Sequence, residues 1–180
     1  RYGGRSLPQR YAEAYLDEER RFVTPRRNEL FEVTRLMVAP TVDAWGTPQQ
    51  QDRFVIAFLR TDLLCCQLFS EPGAGSDLAG VATRAERDGD AWLVNGQKVW
   101  TSGARSAEWG LAICRTDTTV AKHAGMTAFL IPLDAAGVTV RPITQMSGGA
   151  SFNEVFLDDV RLPDDLRLGP EGDGWKVALT

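Results

Sequence analysis

With 180 residues, 43% of them apolar and 24% charged, the chain has the make-up of a globular domain, or of two small units sharing one core. A net charge of -4, with Arg20, Arg21, Arg26 and Arg27 interleaved with Glu18, Glu19 and Glu29, argues for a solvated helix face and against a nucleic-acid surface. Three cysteines (Cys65, Cys66, Cys114) and the single His123 make neither a disulfide framework nor a zinc set, so no metal site is expected. Free buried thiols in a reducing, cytoplasmic compartment fit them.

No apolar stretch of a signal peptide follows Arg1-Tyr2-Gly3-Gly4-Arg5, and no run approaches the ~20 apolar residues that span a bilayer. Residues 1–62 read as helical. Tyr11, Tyr15 and Phe22 mark a first amphipathic helix ending before Pro25, and a second runs from about Asn28 to Trp45, with a kink or break expected at Pro40. Thr47-Pro48-Gln49-Gln50 then opens a third helix, reaching about Arg60: Thr47 caps, Pro48 takes the first helical position and Gln50 completes a capping box. From Leu63 the pattern turns to strands at 65–70, 82–87, 92–94, 97–102, 109–115, 126–133, 138–143 and 154–160. Asp88-Gly89 and Asn95-Gly96 both carry the composition of hairpin turns. Gly174 starts a last helix that has barely begun at Thr180, so the natural protein is expected to continue. Segregated helices and strands give an α+β fold: an N-terminal helical segment (1–62), an antiparallel β-barrel or sandwich (63–165), and the start of a C-terminal helix (166–180).

Two stretches carry chemistry. In Ser70-Glu71-Pro72-Gly73-Ala74-Gly75-Ser76-Asp77 the glycines allow close approach of a ligand, and successive backbone N–H groups suit a phosphate; a turn that merely reverses the chain has the same composition. It is neither a Walker A loop nor the three-glycine dinucleotide fingerprint. In Asn95-Gly96-Gln97-Lys98-Val99-Trp100-Thr101-Ser102-Gly103, a tryptophan beside two hydroxyls can face a flat heterocycle, although core packing is the commoner role of such a tryptophan taken alone.

Taken together and in this order, the two stretches resemble the acyl-CoA dehydrogenase family. Residues 67–77 look like its flavin signature and 95–103 like its second flavin segment. Phe152-Asn153-Glu154-Val155-Phe156-Leu157-Asp158-Asp159-Val160-Arg161-Leu162-Pro163 resembles the end of its middle β-domain, and Gly172-Asp173-Gly174-Trp175 the start of its C-terminal helical domain. Tyr2-Gly3-Gly4 and Gly46-Thr47-Pro48-Gln49-Gln50 resemble its N-terminal helical part.

The resemblance implies FAD as cofactor and an acyl-CoA as substrate. Gln67, Phe69 and Ser70 would lie by the flavin, with Gly75 and Ser76 at its phosphates and Ser76 also near the acyl-CoA. Trp100 would pack on the ring, Thr101 and Ser102 would add backbone or hydroxyl contacts, and Ser102 would replace a threonine that donates toward flavin N5. His123 falls on a loop near the CoA moiety, where it is either a plain surface histidine or a substrate contact. Glu71 is read as structural rather than as a base.

The family's α,β-dehydrogenation, a step of fatty-acid β-oxidation, takes a proton from Cα by a glutamate and passes a hydride from Cβ to the flavin. An electron-transferring flavoprotein then reoxidises it. That glutamate is expected beyond Thr180, and opening helices upstream of Arg1, so the isolated 180 residues are expected to be inactive and to bind FAD weakly. A homo-oligomer is expected for the full-length protein. Two alternatives stand: a non-catalytic flavin-binding subunit that needs a partner chain, and a relative that reacts with oxygen, as flavin monooxygenases and acyl-CoA oxidases do.

Overall fold

The computed structural model describes residues 2, 4–23 and 28–180. The first helix, α1 (Arg10–Glu19), has no buried residue, and Tyr11, Tyr15 and Phe22 are all exposed. Its sequence pattern is amphipathic, and Tyr15 and Leu16 line an open groove with Phe31 and Leu36 that leaves them largely exposed. Pro25, Arg26, Arg27 and Gly3 lie outside the described residues.

The second helix is continuous from α2 (Glu29–Glu32) through a π-helical stretch (Val33–Val38) into α3 (Ala39–Trp45). Asn28 caps it, its side chain accepting from Leu30 N at 3.0 Å. Of the kink or break expected at Pro40, the break does not occur. The wider π turn just upstream changes the hydrogen-bond register, so the missing N–H falls at the start of a fresh α segment. The third helix begins at α4 (Pro48–Gln50) and passes a second π stretch (Gln51–Val55) into α5 (Ile56–Arg60). Its capping box is complete: Gln50 N donates to Thr47 Oγ1 at 3.2 Å and Thr47 N to Gln50 Oε1 at 2.9 Å.

Eight strands follow: β1 (Cys65–Leu68), β2 (Arg84–Asp88), β3 (Ala91–Ser102), β4 (Trp109–Arg115), β5 (Met126–Pro132), β6 (Val138–Ile143), β7 (Phe152–Pro163) and β8 (Arg167–Leu168). They form one sheet in the order β6-β7-β3-β2-β4-β5-β8, with β1 joined to β4. The α+β expectation holds, with two refinements. The sheet is open rather than closed into a barrel, and it is mixed, because β1 pairs with β4 in parallel and β2 meets β4 in parallel at Arg84 and Arg115. The turn at 71–74 and the long return from 75 to 83 carry the chain back, so that β1 and β2 share one edge of β4 at different heights.

Asn95-Gly96 is not a hairpin turn. It lies inside the twelve-residue β3, where pairing with β7 slips between Val94 and Gly96. A Cβ at Gly96 would sit 2.4 Å from Thr83 Oγ1, so close backbone approach, not chain reversal, calls for glycine here. Asn95 meanwhile reaches across to β7: its Nδ2 donates to Asp159 Oδ1 at 3.0 Å, and its Oδ1 accepts from Asp159 N at 2.8 Å. Asp88-Gly89 is the hairpin, with Gly89 at φ 64° joining β2 to β3.

Central β4 and β5 are buried on both faces, in keeping with their mostly apolar runs, Trp109 to Cys114 and Met126 to Ile131, in which Thr127 is a buried polar exception. Trp92 meets Phe129 edge-on at 5.2 Å between ring centroids, and Phe54 of the third helix meets Trp109 at 4.9 Å. The helices are thereby anchored on the sheet. All three cysteines are free and buried; burial pushes Cys66 up to about 12 and Cys114 to about 11, and Cys65 well above its ordinary value. The last helix, α6 (Gly174–Ala178), docks with Val177 buried.

Candidate functional site

The chain leaves β1 at Leu68 and runs through Phe69 and Ser70 into a tight turn, closed by two reciprocal bonds: Glu71 N donates to Ala74 O at 2.7 Å and Ala74 N to Glu71 O at 3.1 Å. Pro72 and Gly73 form its tip. Above Gly73 and Gly75 no protein atom lies within 4 Å of where a Cβ would be, so this backbone is open to a ligand on that side. Ser76 is exposed next to it.

Val99 N donates to Ser70 O at 2.9 Å, which ties this segment to β3. One residue further, the pairing of β3 with β7 slips between Lys98 and Thr101, and Trp100 takes φ 59°. A bulky side chain in the left-handed region is an outlier that costs on the order of 1 kcal/mol or more. The bulge turns the indole outward: Trp100 is 60% exposed, held on one edge by Phe152 at 6.1 Å and 84°. Of the two readings of Trp100, core packing is excluded. Thr101 points inward and is buried, its carbonyl accepting from Asn153 Nδ2 at 2.9 Å. Ser102 is half-buried and its Oγ donates to Glu29 Oε1 at 3.2 Å.

The predicted residues therefore fall into connected but distinct places. Gln67 and Phe69 line a cleft of about 90 Å³ between the sheet and the second helix, with Val33, Met37 and Leu111. Ser102 lines a wider groove of about 580 Å³ with Asn28, Glu29, Arg105 and Asn153. Ser70 joins the two segments, and Gly75 and Ser76 stand at the outer rim. His123 is exposed, its ring packed edge-on against Trp175 at 4.4 Å between centroids. Its loop is nevertheless tied to the glycine-rich turn. Lys122 Nζ pairs with Asp77 Oδ2 at 3.3 Å, and Arg115 donates to the carbonyls of Ala79 (2.6 Å), Val81 (3.4 Å) and Lys122.

Sequence reasoning missed Lys98. It is fully buried and bonds Glu71 Oε1 at 2.7 Å, while Glu71 also accepts from Thr83 N at 3.0 Å and Ala82 N at 2.6 Å. Burial alone would raise the Glu71 carboxyl, but the Lys98 charge and the hydrogen bonds from Lys98, Thr83 and Ala82 outweigh it and hold the group below its usual range. A carboxylate so committed cannot abstract protons, in agreement with the structural role read for Glu71. The signal was there: Lys98 falls on the same phase of β3 as buried Trp92 and Val94, so a strand lysine on the apolar face demanded a buried acid.

Comparison with known proteins gives this geometry its context. A family model described as acyl-CoA dehydrogenase, middle domain, matches residues 66–160, more than half of the chain. The chain belongs to the acyl-CoA dehydrogenase family. It is 48% identical over 178 residues to acyl-CoA dehydrogenase IpdE1 of Mycobacterium tuberculosis, covering 99% of this chain and 46% of that protein. It is 51% identical over 142 residues to acyl-CoA dehydrogenase FadE34 of the same organism, covering 79% of this chain and 20% of that one. Among solved structures, a variant of the Tcur3481-Tcur3483 steroid ACAD superposes with a TM-score of 0.87 at 34% identity, over 99% of this chain and 46% of that one. The ChsE4-ChsE5 complex from Mycobacterium tuberculosis superposes with a TM-score of 0.83 at 35% identity, over 99% of this chain and 45% of that one. The chain thus spans less than half the length of these acyl-CoA dehydrogenases. No helix among the described residues is long and apolar enough to cross a membrane, and no cluster of three or more metal-ligating side chains occurs among them.

Proposed function

We propose that this chain supplies the flavin- and acyl-CoA-binding part of an acyl-CoA dehydrogenase, with residues 63–165 as the middle β-domain, 1–62 as part of the helical domain before it and 166–180 as the start of the one after. The observation that carries the reading is the Ser70–Val99 tie, which sets an open glycine turn beside an outward-facing indole. These residues fit FAD. Phe69, Ser70 and Trp100 would hold its ring system, Gly75 and Ser76 its phosphates, with Gln67 and Thr101 supporting. When bound, FAD supplies the acceptor for the hydride leaving Cβ of the thioester. Ser102 Oγ is an oriented donor that would stabilise negative charge arriving beside it, once it turns from Glu29. Ser76 and His123, brought near one another through the Lys122–Asp77 pair, would meet the CoA portion.

Family membership implies a carboxylate outside residues 1–180 as the general base, and Glu71, both of whose oxygens are occupied, keeps a structural role. An electron-transferring flavoprotein is the proposed electron acceptor, and a cytoplasmic location the proposed compartment. Because two similar structures are a steroid ACAD and a two-component complex, a steroid acyl-CoA is the proposed substrate class, and assembly with a different acyl-CoA dehydrogenase chain is the second reading. The test is anaerobic titration of the full-length protein, alone and with a co-expressed partner, with steroidal and straight-chain acyl-CoA thioesters. Bleaching of the flavin absorbance by the steroidal thioester is expected. Retention of no flavin in either preparation rejects the reading, and bleaching by straight-chain thioesters alone rejects the substrate class. Fast reoxidation by air would move the protein to the oxidases.

A further inference from the structure

Lys98 lies fully buried in the middle of β3, and each of its three donors is used: Glu71 Oε1 at 2.7 Å, Ile113 O at 2.7 Å and Phe69 O at 3.2 Å. Glu71 adds the backbone bonds from Ala82 and Thr83. One charge pair therefore gathers four pieces of chain: the entry to the glycine-rich turn, the entry to β2, the middle of β3 and the middle of β4. Holding strands together does not require this. Burying two charges costs several kcal/mol before their attraction returns it, and apolar side chains of similar volume often stabilise a core as well or better (roughly 1–4 kcal/mol in favour of the apolar set).

What apolar residues cannot supply is direction. The ammonium fixes the Phe69 carbonyl and the Glu71 carboxylate beneath β3, so the 70–76 segment leaves the sheet at one angle. Lys98 is also the last paired residue before the bulge that turns Trp100 outward, and the next residue makes the Val99–Ser70 bond. Both ligand-facing segments thus take their orientation from the same buried atom.

We infer that Lys98 and Glu71 are a positioning pair that presets the 70–76 turn and the 100–102 bulge in the geometry that receives the flavin, without touching it. This rests on the flavin reading above. The experiment uses the full-length protein and FAD as the probe, comparing wild type with the double variant Lys98→Met/Glu71→Leu, which removes both charges and keeps the volume. The flavin-free double variant is expected to fold but to melt below wild type, because the Phe69 and Ile113 carbonyls and the Ala82 and Thr83 N–H groups lose their partners, while its FAD dissociation constant rises about tenfold or more and the bound flavin spectrum loses its fine structure. A folded double variant that binds FAD with wild-type affinity and spectrum overturns the inference. Should the double variant not fold, Lys98→Arg decides, because it keeps the charge but not the three-point geometry: weakened FAD binding supports the pair's role, and unchanged binding removes it. Failure of the wild type itself to bind FAD would count against the flavin reading instead.

Discussion

Thr61 ends the third helix at φ 58°, a left-handed conformation that a β-branched residue adopts at a cost. Its side chain returns one bond, to Arg60 O at 2.6 Å, at an exposed position. Thr61→Gly is expected to stabilise the protein by about 1 kcal/mol, read as a higher urea midpoint with unchanged slope. No gain would mean that the Thr61 hydroxyl offsets the strain. Trp100 shares that backbone region, and the contrast is instructive. At Thr61 the strain closes a helix; at Trp100 it comes with a bulge and an outward indole whose one ring contact among the described residues is the edge of Phe152. Trp100→Ala should leave thermal stability within about 1 kcal/mol and weaken FAD binding about tenfold, because a ring that is 60% exposed contributes little to the core. Fluorescence titration with FAD measures the second effect. At this scale the sequence was informative about residue type, since it named Trp100, Ser102 and Glu71. It did not give orientation: whether Trp100 faced the core or the solvent hung on the bulge.

The capping box at 47–50 was legible because its geometry is local, spanning four residues and one turn. Its second half was not. Gln50 Nε2 donates to Asp165 O at 2.7 Å and to Arg167 O at 2.8 Å, fastening the helix to the chain just before and within β8. Thr47→Ala should cost about 1 kcal/mol as an ordinary cap loss, whereas Gln50→Ala should cost about 2–3 kcal/mol by stranding two carbonyls as well. Denaturant melts of the two variants check this; equal losses would mean that water replaces the Gln50 amide at no cost. Two readings at this scale met a different outcome, one for a local reason and one for a non-local one. Pro40 would break an ideal α-helix, but the π turn upstream absorbs it. Asn95-Gly96 has hairpin composition, yet Thr83 packs against Gly96 and Asp159 pairs with Asn95, so the strand runs on.

Across the molecule, charge is concentrated at the seam between β2, β3 and the 164–167 turn. Asp164 accepts from Arg167 at 2.9 and 3.0 Å and from Trp92 Nε1 at 2.7 Å. The Arg167 hydrogen bonds lower its carboxyl from the ordinary 3.8 to about 2, against a smaller opposing push from burial, with Trp92 and Arg87 adding to the lowering. A carboxyl lowered in the folded state stabilises it above its unfolded pKa, and that contribution fades as pH falls through the folded one. Glu71 shifts in the same direction. Asp164→Asn should therefore melt below wild type at neutral pH, and the gap should shrink as pH drops from 3.8 toward about 2. A gap constant with pH would mean that Asp164 acts through shape rather than charge.

The sequence by itself determined the α+β class, the three helical stretches, nearly all the strands and the order of the glycine-rich and Trp100 motifs, because periodicity, caps and glycine-rich turns act over a few residues. Tertiary structure alone decided the open mixed sheet, the outward turn of Trp100, the anchoring of the 116–125 loop by Arg115 and the burial of Lys98 against Glu71. The sheet order, the Trp100 turn and the Lys98–Glu71 pair depend on partners more than about ten residues away in the chain, and Arg115 adds distant Ala79 and Val81 to its nearer bond with Lys122; a buried charge is tolerated only where such a partner arrives.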